Sequence, residues 1–137
     1  MKTNQLFLII NLLLIISFNQ LVKAQNILVV QADIHIASGT SLCIQGGMTA
    51  EGLAFINNNG KMYVSDNPAV GNENWTNNAS NSMLSGTGTV VFNSSGQQNI
   101  SGNYSTTFSI LNISNTSAPG VVLDTNVYVS DTLKLID

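Results

Sequence analysis

The chain has 137 residues, 44% of them hydrophobic and only 8% charged, with four Lys, no Arg, seven acids, one Cys and a formal net charge of −3. It lacks the basic footprint of a nucleic-acid binder, the Glu, Lys and Ala excess of a helical bundle and the paired cysteines of a disulfide scaffold. Residues 1–24 have the layout of a secretory signal peptide. Lys2 supplies the positive start, Leu6 to Ile16 is an apolar run broken only by Asn11, and Val22-Lys23-Ala24 occupies the cleavage positions. The expected cut lies between Ala24 and Gln25. The apolar run is shorter than the roughly 20 residues of a membrane helix, so no span is expected after cleavage. Cys43 lies too far from the cut for a lipoprotein. Removing 24 of the 137 residues leaves 113, with Lys61 and Lys134 against seven acids. That is enough chain for one small core and one domain, residues 25–137.

Asn, Ser and Thr account for 40 of those 113 residues. Between them, apolar residues alternate at i, i+2, the pattern of a half-buried strand. Ile34-x-Ile36, Leu42-x-Ile44, Met62-x-Val64, Val90-x-Phe92, Leu111-x-Ile113, Val121-x-Leu123, Val127-x-Val129 and Leu133-x-Leu135 follow in chain order. Ser38-Gly39, Gly46-Gly47, Asn59-Gly60, Ser95-Gly96, Ser101-Gly102 and Pro119-Gly120 punctuate them. No mature segment keeps a helical period for three turns, so the fold is read as all-β. Residues 66–85 break the rhythm and hold the single Trp. They read as a long loop between two strand groups, Ile27–Asp66 and Gly86–Asp137; a loop of that length is uncommon unless functional or disordered.

Two all-β architectures fit. Internal repetition favours a short parallel β-helix or solenoid-like stack, because each rung places similar side chains in similar positions. Tyr63-Val64-Ser65-Asp66 recurs as Tyr128-Val129-Ser130-Asp131, and Ser38-Gly39-Thr40 as Ser85-Gly86-Thr87. The alternative is an antiparallel β-sandwich. The strand spacing suits it equally, and Asn59-Gly60 is a type I′ hairpin signal. The offsets between repeats are not constant, which weighs against the solenoid. The solenoid is the preferred reading.

A leader ending Val-Lys-Ala-Gln is followed by GTSLCIQG, FINNNGKMYVSDN, GTGTVVFNSSGQQNISG and FSILNISN. In these segments, over nearly the whole mature chain, the sequence resembles the N-terminal region of secreted cell-surface proteins of Bacteroidetes-type bacteria. Those proteins carry Asn/Gly/Thr-rich repeats and are similar to β-helical adhesins of the filamentous-haemagglutinin kind. The resemblance implies a parallel β-helix, surface display and often a C-terminal sorting domain for type IX secretion. No polar capping segment follows Leu135, whereas repeat proteins close their last rung with one. The expectation is a chain incomplete at its C-terminus, continuing into or packing on further β-repeats.

No motif selects a catalytic pair among Asp33, Glu51, Asp66, Glu73, Asp124, Asp131 and Asp137. They read as solvent-facing turn acids. With no Arg and two mature Lys, lyase chemistry on a carboxylated sugar is poorly supplied. His35 and Cys43 could form a dyad on paper; the plainer reading is a surface His and a small buried Cys. Asp124, Asn126 and Asp131 are too loosely spaced for a calcium loop. No metal, no cofactor and no catalytic residue is expected. Seven Asn-x-Ser/Thr triplets, at Asn74, Asn78, Asn93, Asn99, Asn103, Asn112 and Asn115, read as turn and ladder chemistry.

Trp75 is the residue of most interest. Flanked by Asn72, Asn74, Asn77 and Asn78, an exposed indole would stack on a sugar ring while the amides bond its hydroxyls. Alternatively the indole folds back onto the strand stack as core, which is the favoured reading. The expected function is a non-enzymatic structural or adhesin-type protein, secreted or held at the outer cell surface (periplasmic without a further export signal). Its partner would be a surface polysaccharide or a host or environmental surface, not nucleic acid. The alternatives are a carbohydrate-active enzyme or its non-catalytic binding module, and a truncated fragment without independent function.

Overall fold

The computed structural model describes residues 27–66 and 74–136. Thirteen strands and no helix occur among them. The first turn of the chain lays down β1 (Ile27–Val30), β2 (Asp33–Ile36) and β3 (Ser41–Gln45); the second lays down β4 (Gly47–Glu51), β5 (Phe55–Asn58) and β6 (Lys61–Ser65). The third holds β7 (Trp75–Asn78), β8 (Leu84–Ser85) and β9 (Thr89–Phe92). The fourth holds β10 (Gln98–Ser101) and β11 (Thr106–Ile113), and the fifth β12 (Val121–Leu123) and β13 (Val127–Leu135). Strands stack in three sheets, ordered β1-β4-β7-β10-β12, β2-β5-β8 and β13-β11-β9-β6-β3. Every pairing is parallel. A parallel pair needs a long crossover, and here the other two sides of each turn supply it. The chain is a parallel β-solenoid of about five turns, as expected, and not a sandwich.

The alternation in the sequence is the inside and outside of this coil. Leu28, Met48, Trp75, Ile100 and Leu123 lie in one inward column of the first sheet. Leu42, Met62, Val90, Leu111 and Leu133 form another in the third sheet, beside Ile44, Val64, Phe92, Ile113 and Leu135. In the second and third turns these side chains are fully buried, as are Ile100 and Leu111 in the fourth, where Ile113 is partly buried. Three aromatic rings pack together inside: Trp75 lies 5.3 Å from Phe108 and 6.3 Å from Phe92, with Phe92 and Phe108 edge to face at 6.2 Å. Tilted and edge contacts suit the ring quadrupoles better than face-to-face stacking. At the fifth turn the columns end in side chains half bare to solvent: Leu123 is 55% exposed, Leu133 53% and Leu135 69%.

Three expectations need correction. First, 66–85 is not one loop, because Trp75–Asn78 and Leu84–Ser85 are strands in register with β4 and β5. The alternation there is real, but its inward residues are Trp75 and the polar Asn77, which hydropathy does not flag. Second, Asn59-Gly60 is no hairpin. β5 and β6 belong to different sheets, so this dipeptide is a corner. Third, the two Tyr-Val-Ser-Asp copies are not equivalent rungs: Tyr63 pairs with Val91, whereas Tyr128 pairs with Thr107. Successive partners Ser41, Lys61, Thr89, Ile110 and Thr132 are 20, 28, 21 and 22 positions apart. Turns of such unequal length erase a fixed sequence period while the backbone stacking stays regular. The Ser-Gly-Thr copies do fall at one corner, between the second and third sheets, one residue out of step. Thr40 there lies over Gly60 and Gly60 over Gly88, as the bonds from the Lys61 N–H to the Thr40 carbonyl and from the Thr89 N–H to the Gly60 carbonyl show.

Candidate functional site

The corners are built from buried amides. Asn58 donates through Nδ2 to the Thr89 carbonyl at 3.2 Å and accepts the Gly60 N–H on Oδ1 at 3.1 Å. Asn77 donates through Nδ2 to the carbonyls of Ser80 (2.8 Å) and Ser105 (2.9 Å) and accepts the N–H groups of Ala79 and Ser80. Each therefore ties its own corner to the next turn. Directly against them lie Gly86 and Gly102, where an added Cβ would come within 2.2 Å of the Asn58 and Asn77 carbonyl oxygens. At a third corner, Gln98 donates to the Val64 carbonyl (3.0 Å) and accepts from Ser94 N–H (3.2 Å) and Asn115 Nδ2 (2.9 Å). Buried amides carry no net charge and are fully used by such bonds, which keeps their desolvation cost low.

Asp66 braces the same corner from outside. Its Oδ1 accepts the Ser94 hydroxyl and the Ser95 N–H (2.7 Å), and its Oδ2 accepts the Ser95 hydroxyl (2.7 Å). These donors, the Ser94 hydroxyl foremost and the Ser95 hydroxyl next, hold the carboxyl below its ordinary value against an opposing desolvation. Through these bonds Asp66 clamps its own turn to the one that carries Ser94 and Ser95.

The outer face of the third sheet carries both lysines of the described residues. Two columns run along the solenoid axis there. Tyr63, Val91, Asn112 and Lys134 stack in one, and Lys61, Thr89, Ile110 and Thr132 in the other. Between them lies a groove of about 210 Å³ bounded by both lysines. It adjoins a second depression of about 370 Å³ at the corner of Thr40, Asn59 and Thr87, and the two share Lys61 and Thr89. The hydroxyls of Ser41, Thr87 and Thr89 in this strip have no protein partner among the described residues. The strip thus offers hydroxyls, the amides of Asn59 and Asn112 and two ammonium groups.

The residues singled out from the sequence fall elsewhere. Trp75 is fully buried, its indole N–H donating to Thr106 Oγ1 at 3.2 Å. Asn77 is buried as well. Neither is free to meet a sugar, so the ligand loop does not assemble as drawn. The physical reason is the inward register of Trp75 with Met48 and Ile100. Asn74 and Asn78 are half buried and accept the N–H groups of Asn99 (2.9 Å) and Asn103 (3.2 Å). This is the turn-to-turn laddering expected of the Asn-rich triplets. Asn72, Glu73, Asp137, the leader 1–24 and the Ala24/Gln25 cut lie outside the described residues. His35 is exposed on the second sheet. Cys43 is exposed on the third, which corrects the expectation of a buried thiol: it sits at an outward position of β3 beside inward Leu42 and Ile44. Asp124, Asn126 and Asp131 are exposed, and no cluster of three His, Cys, Asp or Glu residues occurs among the described residues. No described helix is long and apolar enough to cross a membrane.

The lysine groove was missed because its members lie on four turns and share no motif. The one available signal was that Lys61 and Lys134, the two lysines among the described residues, both sit within strand alternation. Comparison of the chain with family models, curated proteins and solved structures finds no match.

Proposed function

We propose that this chain is a non-enzymatic, exported structural protein of adhesin type, whose solenoid presents its outer faces to a polysaccharide surface. The observation that carries this reading is the axial strip of hydroxyl, amide and ammonium groups on the third sheet. Polar side chains recurring from turn to turn, such as Ser41, Lys61 and Thr89, suit a linear polymer, because many weak hydrogen bonds add along its length. The amide-clamped corners support the same reading, since they stiffen the face that carries the strip. The sequence resemblance to Asn/Gly/Thr-rich surface adhesins points the same way.

Incubation of the secreted protein with a polysaccharide panel tests it. Retention on at least one insoluble polymer without release of soluble product is the expected result. Release of oligosaccharides would replace the adhesin reading with an enzyme. Intact mass of the product recovered from cells and medium tests export: a mature N-terminus at Gln25 is expected, and one at Met1 would overturn it.

A further inference from the structure

We propose that the groove between Lys61 and Lys134 binds a linear polysaccharide bearing carboxylates, laid along the solenoid axis; this deepens the function proposed above and rests on it. Lys61 and Lys134 are the only Lys or Arg residues among the described residues. In a chain with an acidic balance, both border one groove, and no acid lines it. Neither ammonium has a hydrogen bond or ion pair with another described residue. They sit on β6 and β13, three strand spacings apart along the third sheet, about 14 Å.

Between them, Asn112 supplies a second and independent feature. Its Oδ1 is buried and has no hydrogen-bond partner among the described residues. An unpaired buried acceptor costs free energy, and turning the amide outward onto a ligand hydroxyl in the groove would satisfy it. Tyr63, Val91 and Ile110 give the groove apolar surface, suited to the C–H face of a sugar ring. The set is therefore two cations at the ends, one acceptor between and apolar surface beneath. A polymer with carboxylates spaced by hydroxylated rings matches it. A nucleic acid does not, because duplex DNA carries a charge every 1.7 Å or about that and two lysines on an acidic protein cannot offset it.

The test uses the secreted full chain with three probes: polygalacturonate, its methyl ester and neutral dextran, in affinity electrophoresis and calorimetry. Polygalacturonate is expected to bind, to weaken as salt is raised, and to lose about tenfold or more in affinity on esterification. Lys61→Gln and Lys134→Gln should each weaken it by about two- to fivefold, as expected for exposed ion pairs. The double reversal K61E/K134E should abolish it, with the fold checked by circular dichroism. His35→Gln, on another sheet, should change nothing. Equal affinity for acid and ester, or unchanged binding by a folded K61E/K134E, would overturn the proposal. Should K61E/K134E fail to fold, the acid–ester contrast and salt dependence of the wild type decide. Binding of dextran as strongly as polygalacturonate would overturn the acidic ligand while leaving the polysaccharide reading standing. Failure of all three polymers would overturn the acidic ligand, and the wider panel would then judge that reading alone.

Discussion

At the residue scale, Trp75 and Asp66 show how differently single side chains serve a solenoid. Trp75 is the largest inward side chain and its one polar atom is satisfied by Thr106. Trp75→Ala should cost about 3–5 kcal/mol, read as a lowered urea midpoint with far-UV signal intact in the native baseline. Trp75→Phe should cost less, because it keeps most of the ring contacts and loses the bond to Thr106. Asp66 works through its charge. Its carboxyl is held below the ordinary value of 3.8, so the folded state favours the ionised form. That stabilisation is complete above the ordinary value and is lost as pH falls through the lowered one. Asp66→Asn should therefore destabilise by about 1 kcal/mol at neutral pH. The gap between variant and wild type should close as pH drops below the ordinary carboxyl value and on through the lowered one. Melts at stepped pH check this, and a gap that stays constant would mean the charge is not what matters.

At the scale of elements, the corners matter more than the strands. β5 and β6 meet at Asn58-Asn59-Gly60, and the next turn brings Gly86 against the Asn58 carbonyl. Gly86 has φ +94° and no room for a Cβ, whereas Gly39 has φ +79° and open space around it. Gly86→Ala should cost about 2–4 kcal/mol, strain and overlap together. Gly39→Ala should cost about 1–2, the backbone strain alone. A thermal melt of the pair separates the two causes. How much of these elements was legible follows the same division. Leu42-x-Ile44, Met62-x-Val64 and Val90-x-Phe92 announced β3, β6 and β9, because apolar side chains alone point inward there. β7 was hidden, since its inward pair is Trp75 and Asn77, and an amide reads as surface unless its bonds are seen. The Asn59-Gly60 signal pointed to a hairpin for a local reason that stacking overrides: the third turn covers β6 with β9 and leaves no place for β5 to pair back.

At the scale of the molecule, five parallel turns give one column of contacts repeated along an axis. Position in that column sets the energetic weight of otherwise identical residues. Leu111 and Leu133 are register partners, yet Leu111 is buried at 2% exposure and Leu133 is half bare. Leu111→Ala should cost about 2–5 kcal/mol and Leu133→Ala about 1 or less, measured by denaturant unfolding of both variants. Near-equal losses would mean that the fifth turn is covered in solution by something packed on it.

What the sequence alone determined is the class of the fold: short alternating strands, frequent corners and side chains able to ladder, all consequences of local backbone and side-chain preference. The parallel stack was preferred on partial self-similarity, some of which the structure places at non-equivalent positions. Only the tertiary structure decided which apolar pairs share a column, that Trp75 belongs inside, and that Lys61 and Lys134 flank one groove. Those facts depend on turns of unequal length being brought into register by backbone hydrogen bonds, and no local preference encodes a distance of three turns.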